Sequence, residues 1–136
     1  MKYEILMDER VGLDVDTAFA TLADHDQLGD VLGGPVKRVR EGQGDVNGVG
    51  SVRKIGFWPI DFDETVTEFV PCEKIAYRIT RGSPLKNHHG EIDFAADGDG
   101  CRIRWRIGYE MPPVAGHVVK LALRRLITRG LRKLEP

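Results

Sequence analysis

The chain has 136 residues, of which 41% are hydrophobic and 30% are charged. This length is typical of a single domain whose core folds without disulfides or metal, and this composition excludes a disordered protein. The formal net charge of −1 provides no overall field that would draw the chain to nucleic acid or to an acidic membrane. No apolar run approaches the roughly 18 residues that a membrane span requires. We therefore expect a soluble domain that has no membrane span and binds no nucleic acid.

Two features of the sequence predict a cytoplasmic location. Cys72 and Cys101 are far apart and form no CxxC motif. This is typical of reduced thiols, and a single bridge between them is the alternative. The N-terminal stretch MKYEILMDERV alternates polar and apolar residues, unlike the continuous apolar segment of a signal peptide.

The first third of the chain predicts one strand followed by two short helices. Residues 2–12 alternate as a strand does, and Asp14 is in position to cap a helix in LDVDTAFATLADHD. The stretch DQLGDVL predicts a second helical turn, which Gly33-Gly34-Pro35 should end.

The middle of the chain predicts about six consecutive antiparallel strands. Gly- and Pro-containing turns separate the alternating segments: the loop GQGDVNGVG, Trp58-Pro59, Pro71, Ser83-Pro84 and DGDG. The predicted strands are PVKRVRE, GSVRKIGF, IDFDETVTEFV, EKIAYRITRG, KNHHGEIDFAA and CRIRWRIGYE.

The last segment, 113–134, changes to a helical period. Its apolar stripe consists of Val119, Ala122, Leu123, Leu126, Ile127, Leu131 and Leu134. Six Lys and Arg residues occupy much of the remainder, as either a solvated surface or a partner-binding surface. A meander with one dry face needs a cover, and this helix is the only sizeable one. The fold class is therefore α+β, with a curved antiparallel sheet of about seven strands around a long C-terminal helix.

This order of elements resembles the START-like (SRPBCC) superfamily, which includes birch-pollen-allergen-like proteins, lipid-transfer domains and polyketide cyclases/dehydrases. The closest likeness is to its small bacterial polyketide-cyclase-type members. The resemblance is carried by LDVDTAFATLAD, GGPVKRVREGQG, GVGSVRKI, ETVTEFVPCEKIAYRI, HHGEIDF and CRIRWRIGYEMP. It implies a helix-grip fold over residues 1–136, with an internal cavity for an apolar ligand. It implies no particular activity, because one fold hosts many functions.

The strand CRIRWRIGYE places Arg102, Arg104 and Arg106 in a row on one face. The register that the DGDG turn sets would place Asp93 opposite Arg104 and Glu91 opposite Arg106. The same register pairs Phe94 with Ile103 and Ile92 with Trp105 on the inner face. The arginine row is therefore expected to be a self-neutralised exterior, and not a nucleic-acid surface with interleaved aromatics.

The hairpin GSVRKIGFWPIDFDETV holds the most informative pair of residues. A turn at Trp58-Pro59 would place Arg53 opposite Glu64 on the inner, dry face. Ionised groups on such a face are costly unless they are paired. Two interpretations remain: a structural ion pair at the cavity edge, or a polar anchor for a ligand. The superfamily's matching positions face the cavity, which favours the anchor.

Metal and nucleotide sites find little support. His88 and His89 are adjacent in a strand and point to opposite faces, so they cannot share one ion, and His88 is expected to face the cavity. The loop GQGDVNGVG lacks GK[ST] and precedes a strand, so it is expected to be a plain hairpin loop. No metal and no cofactor is expected.

The resulting hypothesis is a monomer or weak homodimer that binds an apolar or aromatic small molecule, such as a lipid, polyketide or isoprenoid. The alternative is an aromatase/cyclase or dehydratase, with Glu64, His88 and Tyr77 as candidate catalytic acid–base residues. Tyr77, Trp105 and Tyr109 are either core or ligand platform. The predicted cavity residues are Phe19, Arg53, Ile55, Phe57, Phe62, Glu64, Val66, Tyr77, Ile79, His88, Ile92, Trp105, Tyr109, Val119, Leu123 and Ile127.

Overall fold

The computed structural model describes residues 1–57, 60–83 and 85–134, with only the backbone of Phe57 and Ile60. Its elements, in chain order, are β1 (Lys2–Val11), α1 (Val15–Ala23), α2 (His25–Leu32), β2 (Val36–Arg40), β3 (Val52–Phe57), β4 (Ile60–Val70), β5 (Lys74–Gly82), β6 (Lys86–Asp97), β7 (Gly100–Glu110) and α3 (Pro113–Arg132). The predicted order of elements is confirmed. The predicted turn residues Trp58, Pro59 and Pro84 lie outside the described residues.

The strands form one antiparallel sheet in the order β1-β7-β6-β5-β4-β3-β2. The meander from β2 to β7 follows the chain, and β1 adds to the far edge of β7. The predicted registers are confirmed, because Arg53 pairs with Glu64 in the β3–β4 ladder and Ile92 pairs with Trp105 in the β6–β7 ladder. Since the side-chain period of a strand is two, these registers fix which residues face inward.

Local capping explains where the two short helices lie. The Asp14 side chain accepts a hydrogen bond of 2.7 Å from the backbone N–H of Thr17, which satisfies a free donor at the start of α1. Gly33 ends α2 in the left-handed conformation at φ +74°, which costs a glycine little. These caps fix the start of α1 and the end of α2, between β1 and β2 in the chain.

The helix α3 packs against β1 and α2. Its close approach depends on two glycines. A Cβ at Gly116 would lie 2.1 Å from the Tyr3 ring, and one at Gly130 would lie 2.0 Å from the Val31 carbonyl oxygen. Ile127 and Leu131 are the large buried side chains of the helix.

The predicted apolar stripe of α3 is wrong in two positions. Ala122 is exposed and Leu126 is 42% exposed, whereas Gly116 and Gly130 are buried. The helix is rotated about its axis from the predicted orientation. The side that carries the two glycines comes closest to the neighbouring elements, because glycine has no side chain to keep them apart.

The arginines of β7 form ion pairs on the outer face, and most of these pairs involve β1. Asp8 pairs with Arg102 at 2.8 Å and with Arg104 at 3.6 Å, while Arg106 lies 3.5 Å from Glu4. Arg104 faces Asp93 in the backbone register, yet Asp8 is its ion partner. The arginine row is therefore neutralised mainly by β1. The sequence pattern did not predict where β1 pairs in the sheet.

Both cysteines are free thiols. None of the helices in the described ranges is long and apolar enough to cross a membrane.

Candidate functional site

A cavity of about 270 Å³ lies between the inner face of the sheet, α2 and α3. Strands β3 to β7 supply most of its wall, and α2, the Gly34-Pro35 bend, Leu85 and α3 supply the rest. The lining residues are Leu28, Leu32, Gly34, Pro35, Arg53, Ile55, Gly56, Phe62, Glu64, Tyr77, Ile79, Leu85, His88, Trp105, Ile107, Leu123, Leu126 and Ile127. Most of these side chains are apolar, and the polar ones come from four strands.

Ten of the residues that the sequence analysis assigned to the cavity lie in this wall: Arg53, Ile55, Phe62, Glu64, Tyr77, Ile79, His88, Trp105, Leu123 and Ile127. Five assigned residues lie elsewhere: Phe19, Val66, Ile92, Tyr109 and Val119. The side chain of Phe57 lies outside the described residues.

The residues that lie elsewhere belong to the packed core. Phe19 contacts the rings of Phe69 and Phe94 edge-on, with ring centres 5.3 and 5.1 Å away. Tyr109 stacks on Tyr3 and donates a 2.8 Å hydrogen bond to the Gly116 carbonyl of α3. Val66 and Ile92 are buried in the same core, and Val119 packs against it. Sharing the inner face is therefore not enough to reach the cavity.

The sequence analysis missed the part of the wall that α2 and its C-terminal bend supply. Leu28 and Leu32 are four residues apart and share one face of α2. Their spacing is a signal of an inward-facing stripe. The pattern could not distinguish contact with the core from contact with a cavity.

The Arg53 and Glu64 side chains form a buried ion pair in the cavity wall. Nε of Arg53 donates a 2.9 Å hydrogen bond to Oε1 of Glu64, and Nη2 of Arg53 lies 2.8 Å from the same oxygen as an ion-pair contact. Only 2% of the Arg53 side chain and 7% of the Glu64 side chain are exposed. Burial raises the pKa of Glu64, and the Arg53 charge opposes that shift. In the described part of the chain, no protein donor contacts the second oxygen of Glu64.

The ring of Tyr77 connects this pair to Trp105. The Arg53 guanidinium carbon lies 4.8 Å from the centre of the Tyr77 ring, a cation–π distance. The indole N–H of Trp105 donates a 2.9 Å hydrogen bond to the Tyr77 hydroxyl. Burial raises the pKa of Tyr77, so the phenol stays protonated. Its hydroxyl can therefore donate a hydrogen bond to an acceptor in the cavity. Gly90 makes room for this ring, since a Cβ there would lie 2.2 Å from it.

The imidazole of His88 completes the polar part of the wall. His88 is buried and lines the cavity, whereas His89 is exposed on the opposite face. Burial lowers the pKa of His88 to about 4, so the ring is neutral at pH 7. Its buried Nδ1 has no hydrogen-bond partner in the described part of the chain.

A second buried histidine, His25, was not assigned a role from the sequence. Its Nε2 lies 3.5 Å from the Ser51 hydroxyl, and burial lowers its pKa to about 3. No group of three His, Cys, Asp or Glu side chains within the described ranges could hold a metal ion.

A seven-stranded antiparallel sheet that grips a C-terminal helix around an apolar cavity defines the helix-grip class of the START-like superfamily. Residues 7–136 match the model of the family described as polyketide cyclase / dehydrase and lipid transport. The chain belongs to this family. Among curated proteins, none matches the chain closely enough to count as a relative.

Solved structures share the fold at low sequence identity. A protein from Nitrosospira multiformis is 17% identical, with a TM-score of 0.74 over 97% of this chain and 96% of that one. Truncated norcoclaurine synthase from Thalictrum flavum is 16% identical, with a TM-score of 0.71 over 98% and 93% of the two chains. The protein Ara h 8.0201 is 16% identical, with a TM-score of 0.69 over 96% and 95%.

Proposed function

We propose that the protein binds a hydrophobic or aromatic small molecule in the cavity between the sheet and α3. The observation that carries this proposal is an apolar cavity with a buried ion pair in its wall. Ligand sites have this character, because apolar walls supply affinity and a few polar groups fix orientation.

The volume favours a compact ligand. An apolar cavity of about 150 Å³ holds one benzene molecule, and the volume here is about 270 Å³. A molecule of about two rings fits such a space better than a long-chain lipid does. Norcoclaurine synthase, a structural relative, has been crystallised with dopamine and hydroxybenzaldehyde, which supports an aromatic ligand here by analogy of fold.

The polar wall favours a ligand with one hydroxyl or carbonyl group. The free oxygen of Glu64 can accept a hydrogen bond from a ligand hydroxyl, and the Tyr77 hydroxyl can donate one to a ligand oxygen. Such contacts would use the hydrogen-bonding capacity of Glu64 and Tyr77 that Arg53 and Trp105 leave free.

A binding experiment with two matched probes tests the proposal. Naphthalene and 2-naphthol differ by one hydroxyl group, and both can be titrated by calorimetry. Leu123 lines the cavity from α3, whereas Leu121 is exposed on the same helix. Leu123→Trp should fill the cavity and weaken the binding of both probes at least about tenfold, and Leu121→Trp should have no effect. Equal binding by both variants would contradict a site in this cavity.

A second candidate function is acid–base catalysis of the cyclase or dehydratase type. It is favoured by one observation: Glu64, Tyr77 and His88 all have shifted pKa values and line one cavity. Glu64→Gln should then lower the turnover of an aldol or dehydration substrate by about 10²–10⁴-fold, with little change in substrate binding. Nothing in these residues requires catalysis, so binding remains the better supported function.

A further inference from the structure

We infer that the solvent-facing line of α3 is a docking surface for an anionic membrane. This line, the α3 ridge, consists of Val114, Val118, Leu121, Arg125, Arg129 and Arg132. The spacing of three or four residues places all six on one face of the helix, opposite the side that packs on β1 and α2. The inference goes beyond ligand binding and does not depend on it.

The first half of the ridge is apolar and exposed. Val114 is 81% exposed, Val118 is 65% exposed and Leu121 is 62% exposed. Single exposed apolar residues are ordinary. Three in succession on one line of the helix form a small apolar surface without a partner in the described part of the chain.

The second half of the ridge is basic. Arg125 and Arg129 have no ion partner in the described part of the chain, and Arg132 lies 3.6 Å from Glu9. With Arg124 and Lys133 they line one shallow concavity. Six of the 20 Lys and Arg of the protein, and none of its 21 Asp and Glu, lie within residues 113–134. The rest of the chain is therefore net acidic, and an anionic surface would attract the protein with α3 facing it.

A membrane surface is the occupant whose chemistry suits both halves. Apolar side chains can enter the headgroup–acyl boundary while arginines on the same helix face contact anionic headgroups. A nucleic acid would neutralise the arginines and leave Val114, Val118 and Leu121 in water. A second copy could cover only three large apolar side chains of each chain without bringing the arginines together, and three side chains supply little of the roughly 800 Å² that each partner buries in a stable interface.

The test is flotation of the whole protein with vesicles in 0.1 M salt. One set is phosphatidylcholine with 30 mol% phosphatidylglycerol, and the other is phosphatidylcholine alone. We expect binding to the first set only. Each arginine near an anionic surface contributes about fivefold to partitioning, so the double variant Arg125→Glu and Arg129→Glu should weaken binding at least about 25-fold.

Two further variants distinguish a specific surface from general charge attraction. Lys37 and Arg78 are exposed on β2 and β5 and have no ion partner within the described ranges. The double variant Lys37→Glu and Arg78→Glu changes the net charge by the same amount as the ridge variant. This control should weaken binding less than about threefold. Val118→Ser with Leu121→Ser should weaken it about tenfold. All four positions altered on the ridge are exposed, and circular dichroism would verify that each variant is folded.

Any of the following outcomes would overturn the inference. One is the absence of binding to the anionic vesicles. Another is an equal effect of the ridge and control charge variants, or no effect of the serine variant. The last is a dimer, seen by light scattering, that the serine variant dissociates; the ridge would then be an interface between two copies.

Discussion

Removing either member of the buried Arg53–Glu64 pair should destabilise the protein by about 3–5 kcal/mol. Arg53→Met leaves the Glu64 carboxylate in an apolar wall, and Glu64→Leu leaves the guanidinium there. Replacing both residues together should cost much less, because two apolar side chains of similar volume need no partner. The pair is therefore expected to show a coupling energy above about 1 kcal/mol.

The magnitude follows from the geometry of the pair. One hydrogen bond of 2.9 Å and one ion-pair contact of 2.8 Å end on the same oxygen, and neither side chain is more than 7% exposed. Bulk solvent therefore has little access to the charge that remains. The single variant Arg53→Met also loses the cation–π contact with Tyr77, which contributes up to about 2 kcal/mol when it is desolvated.

Equilibrium denaturation in urea, followed by far-ultraviolet circular dichroism at pH 7, measures the free energy of unfolding of the wild type, the two single variants and the double variant. The matched control is the cross-strand pair of Glu4 and Arg106, whose side chains are 69% and 48% exposed. Its coupling should stay below about 1 kcal/mol. If the effects of Arg53→Met and Glu64→Leu add within about 0.5 kcal/mol, the two charges are not coupled and the polar anchor must be abandoned.

The same double variant has an expected effect on ligands. A variant with Met and Leu at these positions should bind 2-naphthol more weakly than the wild type does and bind naphthalene equally well. Weaker binding of both probes would indicate a change in cavity shape instead of the loss of a polar contact.

Other predictions concern pH, the helix and the outer face. The folded-state pKa of His88, about 4, lies below its unfolded value of about 6.5, so His88 contributes stability that is present above pH 6.5 and lost as pH falls towards 4. Between pH 7 and 5 this loss should be about 2 kcal/mol. The free energy of unfolding of His88→Phe, measured over this pH range, should therefore depend less on pH than that of the wild type. The control variant His89→Phe, on the opposite face, should not show this change. Leu131 is fully buried, so thermal and urea denaturation of Leu131→Ala should show a loss of about 2–5 kcal/mol. Leu126→Ala should cost about 1 kcal/mol, and a cost equal to that of Leu131→Ala would contradict the observed rotation of α3. Arg104→Ala should change the unfolding free energy by less than about 1 kcal/mol, and a larger loss would mean that the outer-face ion pairs are not solvent-screened.

The sequence alone predicted which side of each strand faces inward. The alternation in CRIRWRIGYE and the short turns set the registers of β6–β7 and β3–β4, so Trp105 and the Arg53–Glu64 pair could be assigned to the inner face. Capping signals likewise predicted where α1 begins and where α2 ends, because Asp14 and Gly33 act within a few residues of those helix ends. These features depend on interactions that are close in sequence or fixed by a turn.

Only the tertiary structure decided where β1 pairs, how α3 is rotated about its axis and which inward-facing residues line the cavity. The place of β1 beside β7 involves contacts about 100 residues apart, and no local pattern encodes them. Gly116 and Gly130 set the closest approach of α3, so Leu126 is left 42% exposed beside the cavity although its spacing matches the buried stripe. Trp105 lines the cavity while its partner Ile92, on the same face, lies in the core. That difference depends on how completely the surrounding side chains fill the space, and packing density is a property of the assembled fold.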